Sequence, residues 1–340
     1  MVDKILYIGF RHEYGRAENG LAINYKGWFQ GFESLGYELN GVFFDDFSGQ
    51  ELQGVILERA RQWEPDMVFF ILQRDQVSKS TLEELVRRNI FTVGFFGDDQ
   101  WRFDGWTSQF AGYFSVCLTT DKFSLRKYYD AGQKNVIYTQ WASLECDKPF
   151  LQPNYKFDVS FIGGLSRYRK WFVRYLEKQG INVVCFGDGW PNGRVSYQEM
   201  ASIFRESKIN LNISNSVSYD IRFIFSSLKS LLSYIRSLMR SSAKNSSQTK
   251  ARNFEIPVSG GFQLTDYVPT LDEYLNIGRE VVCYNTIDEV GKLVNYYLDH
   301  DCEREGIKKA GVEIARREHT FSARIVKFMC EIEKIIANKQ

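Results

Sequence analysis

Residues Asp158–Lys170 read DVSFIGGLSRYRK: an apolar run ends in Gly163-Gly164, and a basic segment with helical spacing follows. A strand that enters a helix through a glycine pair is the unit from which parallel sheets with crossover helices are built. Downstream the alternation continues with strand-like runs at Asn182–Phe186, Lys208–Ile213, Gly261–Leu264 and Val281–Tyr284. Upstream it recurs at Ile5–Gly9, Val68–Leu72, Phe91–Phe96, Val116–Thr119 and Val136–Tyr138, with a helix predicted over Tyr25–Leu35 that stops at a left-handed Gly36. Between the series, ECDKPFLQPNYKF (Glu145–Phe157) carries two prolines and mixed polarity, as a connector does. The expectation is α/β: two doubly wound, Rossmann-like domains facing across a cleft, spanning 1–150 and 151–318. Residues 319–340 form a helix with an apolar stripe (Ile325, Phe328, Met329, Ile332, Ile335, Ile336), predicted to pack back on the first domain.

Composition sets limits on the chemistry. With 340 residues, 44% hydrophobic and 25% charged, the chain is long enough for two cores and ordinary in makeup. The 43 basic and 42 acidic residues leave a net charge of +1, so no global field draws the chain to nucleic acid. Six scattered cysteines, without a C-x-x-C pair or zinc-ligand spacing, read as reduced thiols. The first ten residues, MVDKILYIGF, read as a strand rather than a signal peptide, and no apolar stretch is long enough to span a bilayer. A cytoplasmic protein is expected, with a peripheral place at the inner membrane face as the alternative.

Glycines at 163 and 164 would let a backbone approach an anion, the following helix offers free N–H groups, and Arg167 and Arg169 add charge. A second stretch, KARNFEIPVSGGFQLTD (Lys250–Asp266), supplies what a nucleotide diphosphate needs. Lys250 and Arg252 suit a pyrophosphate, and Glu255, set among Phe254, Ile256, Pro257 and Val258, suits two adjacent ribose hydroxyls.

This second stretch resembles GT-B glycosyltransferases of the spore-maturation type, within the group 1 glycosyltransferases, through R-x-F-E-x-x-x-x-G-G-F-x-L. Here the pattern stands as Arg252, Phe254, Glu255, Gly260, Gly261, Phe262 and Leu264, and the likeness continues through NIGREVVCYNTIDEV and REHTFSARI. The resemblance implies Glu255 as the ribose ligand, Lys250 and Arg252 as diphosphate ligands, and Gly163 and Gly164 as the donor-phosphate turn. It also counts Gly260 and Gly261 with the donor site and points to Tyr197 and Asn212 near the base. Many retaining relatives carry a second glutamate eight residues before the first; Ser247 stands there in this chain. The activity so implied is transfer of a sugar from a nucleotide-sugar to a glycan or lipid-linked acceptor, in cell-surface polysaccharide or glycoconjugate synthesis. The alternative is a non-catalytic nucleotide- or glycan-binding partner subunit.

On the acceptor side, Asp98 and Asp99 follow the strand FTVGFFG, and one of them is either a general base or a helix cap. His12, with Glu13, in the loop after the first strand is the other catalytic candidate. Adjacent aspartates diverge, no D-x-D stands in a metal-binding context, and arginine, lysine and helix N-termini can offset leaving-group charge, so no metal and no cofactor are expected. A nucleotide-sugar epimerase would need more acid/base groups than three histidines provide, and YIGFRHEYG lacks the G-x-G-x-x-G of a dinucleotide oxidoreductase.

An inserted segment at 219–250 is also predicted. Within it, residues 221–240 place Ile221, Ile224, Phe225, Leu228, Leu231, Leu232, Ile235, Leu238 and Met239 on one helical stripe opposite Arg222, Lys229, Arg236 and Arg240. That is the pattern of an interfacial helix at an anionic membrane or of a helix packed on protein.

Overall fold

The structure, a computed structural model, describes residues 2–146, 154–215, 218–239 and 247–338. It forms two units, Met1–Trp141 with Phe321–Gln340, and Ala142–Thr320. Most of the connector predicted at 145–157, and Arg240 of the predicted stripe, lie outside the described residues.

The first unit holds six parallel strands: β1 (Lys4–Gly9), β2 (Glu38–Phe43), β3 (Met67–Phe70), β4 (Phe91–Phe96), β5 (Val116–Thr119) and β6 (Val136–Tyr138), in the order β2-β1-β3-β4-β5-β6. Its helices are α1 (Gln30–Ser34), α2 (Gly49–Trp63), α3 (Lys79–Arg87), α4 (Asp99–Arg102) and α5 (Leu125–Asp130). In β1 and β3, residues Ile5–Ile8 and Met67–Phe70 are buried on both faces, which is why they read as unbroken apolar runs. The predicted helix at Tyr25 begins as a π-turn (Tyr25–Phe29) before α1, and Gly36 adopts the left-handed φ of +91° expected of it.

Among its described residues the second unit has five parallel strands: β7 (Phe157–Ile162), β8 (Val184–Phe186), β9 (Ser207–Asn212), β10 (Gln263–Asp266) and β11 (Val282–Tyr284), in the order β11-β10-β9-β7-β8. Around them lie α6 (Arg167–Glu177), α7 (Tyr197–Arg205), α8 (Ile221–Ile224), α9 (Leu228–Met239), α10 (Arg252–Val258), α11 (Ile287–Asp299) and α12 (Asp301–Glu318). Local chemistry sets the helix starts. Ser166 accepts from the Arg169 N–H, and Ser196 with Glu199 forms a capping box on α7.

The chain then returns to the first unit as α13 (Phe321–Ala337). Its Phe321 ring meets the Trp28 ring edge-on at 4.7 Å, and Phe328 stacks on Phe69. A Cβ at Gly27 would stand 2.3 Å from the Phe321 ring, so only glycine lets the two segments approach this closely.

In each sheet the strand order turns back between the first and third strands of the unit, β1 and β3 or β7 and β9. Open α/β sheets bind ligands at such points, outside the carboxyl ends of the strands.

Candidate functional site

In the second unit the switch point is lined by the turn after β7, Gly163-Gly164, and by Ile213-Ser214 after β9. Gly163 packs tightly, since a Cβ there would stand 2.8 Å from the Phe161 ring, and its carbonyl accepts from Trp190 Nε1 at 2.9 Å. Gly164 is exposed, and a Cβ on it would meet nothing within 4 Å, so space lies open beside this backbone.

Two cations converge on the same point. The Arg169 guanidinium, largely buried, donates to Ile213 O through Nε (3.2 Å) and Nη2 (2.8 Å), and to Gly164 O through Nη1 (2.9 Å). Lys250 Nζ donates to Ser214 O at 2.6 Å. Both charges rest on neutral carbonyls at the end of one strand. One carboxylate stands among them: Asp266, the last residue of β10, accepts from Ser214 N at 3.0 Å. Burial pushes the Asp266 carboxyl up, opposed by Ser214 and Lys250; burial likewise disfavours the charge on Arg169, opposed by Asp266. Among the described residues, Asn212 Nδ2 and Thr249 Oγ1 are buried without a hydrogen-bond partner. Asn212 ends β9 and Thr249 directly precedes Lys250, so two unsatisfied polar atoms flank the cation pair in sequence.

One helix further on, Glu255 is 6% exposed and pairs with Arg252 Nη1 at 2.9 Å. Burial raises the Glu255 pKa, and Arg252 opposes the rise. Arg252 is half-buried, lies over the Phe204 ring and touches the Met200 sulfur. Arg252 and Glu255 thus satisfy each other here.

Several predicted donor residues stand elsewhere. Arg167 points away from the glycine turn and donates to Lys229 O in α9 at 2.6 Å, because it lies two positions, about 200°, around α6 from Arg169. Gly260 and Gly261 lie at the amino end of β10, away from the carboxyl ends. Gly260, at φ +97°, ends α10, and a Cβ on Gly261 would stand 2.7 Å from Asn210 Nδ2 and 3.0 Å from Phe204 O. These two glycines serve a helix cap and close packing. Tyr197 begins α7 and lines an open groove of about 1190 Å³, but its hydroxyl is taken up by Ser143 Oγ (3.1 Å) and Leu144 N (3.2 Å).

In the first unit, Asp99 is 2% exposed and accepts three hydroxyls: Thr107 at 2.7 Å, Thr119 at 2.6 Å and Tyr128 at 2.6 Å. Burial pushes its pKa up to about 6 against the pull of those bonds. The expectation of a base that reaches an acceptor is therefore corrected: this carboxylate ties α4 to β5 and α5 inside the core. Asp98 stands half-buried ahead of α4 and makes no side-chain capping bond. His12 follows β1, and its Nδ1 meets Asp45 Oδ1 at 3.0 Å; Asp45, beyond β2, also accepts from the backbone N–H groups of Arg11 and His12. Glu13 is turned inward to the Ile23 N–H. Among the described residues no group of three or more His, Cys, Asp or Glu could hold a metal ion.

Sequence reasoning missed Asp45, Asp266 and Thr249. For Asp266 a signal was present, since it stands within two residues of the carboxyl end of a predicted strand, the criterion that selected Asp98 and Asp99; Asp45 follows β2, a strand the sequence reading did not find.

Residues 167–330 match the family described as glycosyl transferase-like. Among curated protein sequences, none matches the chain. Solved structures with the same fold include HepE of Anabaena in complex with UDP, 10% identical over 96% of this chain and 100% of that one, TM-score 0.59. A glycosyltransferase from Rickettsia africae is 10% identical over 99% and 100%, TM-score 0.63. A putative UDP-N-acetylglucosamine 2-epimerase from Listeria monocytogenes is 9% identical over 93% and 95%, TM-score 0.52. The shared architecture, two parallel Rossmann-like sheets flanked by helices, is GT-B. The family match covers residues 167–330 and the GT-B fold the whole chain; the spore-maturation type, which the pattern at 252–264 resembles, finds no support in these comparisons.

Proposed function

We propose that the protein transfers a sugar from a nucleotide-sugar donor to a glycan or lipid-linked acceptor in cell-surface polysaccharide or glycoconjugate synthesis. The observation that carries the reading is the placement of Arg169 and Lys250, which donate to main-chain carbonyls at the switch point of the second sheet. A diphosphate would exchange those neutral carbonyl acceptors for anionic oxygens, turning two ion–dipole bonds into ion pairs. The exposed Gly164 backbone and the N-terminus of α6 add N–H donors to the same anion. Glu255, one helix further on, is the ribose ligand once it gives up part of its pairing with Arg252.

In the transfer, the bond from the sugar's anomeric carbon to the diphosphate oxygen breaks and a bond to the acceptor oxygen forms. The nucleoside diphosphate leaves with the electron pair, and the acceptor loses a proton. The two cations supply the leaving-group stabilisation that a divalent ion provides in other enzymes, so transfer is proposed to be metal-independent. On the first unit, His12 is suited to take the proton: Asp45 accepts from Nδ1–H, which leaves the Nε2 lone pair for the acceptor.

The alternative of a binding subunit without turnover draws on Ser247, which accepts from Asn215 where relatives place a second sugar-binding glutamate. An epimerase is disfavoured because two of the three histidines are structural: His300 stacks on Tyr296, and buried His319 is bonded to Tyr274 O.

The test is a binding panel of UDP, GDP, CDP, ADP and dTDP with their sugars, with and without magnesium, read by thermal shift and by release of the free sugar. One base should stabilise the wild type without magnesium, and Lys250→Ala should abolish the shift. If no nucleotide stabilises the wild type, the donor site is misassigned; binding without sugar release to water or acceptor would favour the non-catalytic subunit.

A further inference from the structure

Residues 221–239 form two helices rather than the one expected over 221–240, with α8 ending at Ile224 and α9 starting at Leu228. Its first part is firmly held. Phe223 packs against the Tyr168 and Trp171 rings of α6, and Arg222 is paired with Asp220 and Asp288. Arg222 is therefore not one of the available cations.

The second part is turned outward. At about 100° per residue, Leu228, Leu232, Ile235 and Leu238 fall within an arc of about 120° on α9. They are 72%, 45%, 42% and 58% exposed, and Ile221 and Phe225 beside them are 69% and 72% exposed. On the opposite side Ser230 is 4% exposed, bonded to Ser226 and Ser227. A helix that served only its own domain would bury its leucines and expose its serines. Here Leu228, Leu232 and Leu238 are exposed, Leu231 is half-buried and Ser230 is buried, so a helix packed only on its own unit, one of the two readings the sequence leaves open, does not account for this face.

Charge indicates what covers it. A groove of about 940 Å³ runs between α6 and α8–α9, lined by Arg167, Lys170, Arg174, Lys178 and Lys229, with Glu177 as its single acid. Lys229 and Arg236 border the apolar arc on α9. A second copy of this chain docked about a two-fold axis would bring these basic rims together.

We infer that α9 with the α6 groove is a docking surface for an anionic phospholipid bilayer: the leucines enter the acyl boundary and the groove takes headgroup phosphates. This goes beyond the transfer proposed above and does not depend on it. A cation near such a surface contributes about 1 kcal/mol, or roughly fivefold in partition.

The experiment is co-sedimentation of the full chain with vesicles of pure phosphatidylcholine and of phosphatidylcholine mixed with the anionic phosphatidylglycerol. Binding is expected to the anionic vesicles and to weaken with salt. The charge variant Lys170→Glu/Arg174→Glu/Lys178→Glu and, separately, the apolar variant Leu228→Gln/Leu232→Gln/Ile235→Gln should each reduce partition by about tenfold or more. All six positions are exposed, half-buried at most, and none belongs to the donor site, so the nucleotide thermal shift should be unchanged. Equal binding to both vesicle types, or none, overturns the inference. So does a wild-type dimer in analytical ultracentrifugation that the apolar variant converts to monomer, which would assign the face to a second copy. Vesicle binding without any nucleotide shift would leave this surface standing while the transferase reading fails.

Discussion

Replacing Asp99 by asparagine separates a structural carboxylate from a catalytic one. In the fold its pKa stands at about 6 against an ordinary 3.8. At about 1.4 kcal/mol per pH unit, ionising it costs about 3 kcal/mol more in the native state than in the unfolded chain. Because the native pKa is the higher, the folded state holds the extra proton between about pH 4 and 6, and stability falls as pH rises through that window. Asp99→Asn removes the titration and keeps the geometry: the amide oxygen can accept from Thr119 and Tyr128, and the amide nitrogen can donate to the Thr107 hydroxyl. Urea unfolding, followed by tryptophan fluorescence from pH 4 to pH 7, should show the difference between wild type and variant change by about 3 kcal/mol in the variant's favour. Sugar transfer at pH 7 should stay within about threefold, whereas loss of a general base costs about 10²–10⁴. A pH-independent stability difference, or a hundredfold loss of transfer in a well-folded variant, would refute the assignment of Asp99 to the core.

Other consequences can be measured directly. Lys250→Ala should weaken nucleoside diphosphate binding by about 10- to 100-fold in isothermal titration, the equivalent of one charge-assisted hydrogen bond of about 1.5–3 kcal/mol. His12→Ala should lower kcat by about 10²–10⁴ with donor affinity intact, and Asp45→Asn should lower it less, because Asp45 only orients the imidazole. Gly261→Ala should destabilise by about 1–3 kcal/mol in chemical denaturation, through overpacking against Phe204 O and Asn210, and leave nucleotide affinity in the surviving fold unchanged.

The fold was largely legible because most of its strands are buried on both faces and announce themselves as short apolar runs. Every strand of the second sheet lies within two residues of its predicted span. β2 escaped notice: its Glu38, Asn40 and Gly41 break the run, and as an edge strand paired only to β1 it is half-buried. The candidate site was legible in its charges and less so in their directions. Arg167 and Arg169 look alike in sequence, yet two positions on a helix differ by about 200°, and only Arg169 reaches the strand ends. The glycine pairs at 163–164 and 260–261 also look alike. One lies after a strand and leaves backbone open, while the other ends a helix and is filled by its neighbours. Asp99 looked catalytic for its position after β4. Its partners Thr107, Thr119 and Tyr128 come from three different elements, and no local pattern could have assembled them.

The contact of Gly27 with Phe321 carries a consequence for synthesis. The first unit is interrupted in sequence: the 179 residues of Ala142–Thr320 are made between its sheet and the helix that covers Trp28 and Phe69. At about 5–20 residues per second, a ribosome leaves that apolar face uncovered for roughly 10–35 s. The second unit, contiguous in sequence, can complete its fold while the first still waits. The N-terminal unit is therefore the one finished last, and during that interval it is the natural client of a chaperone.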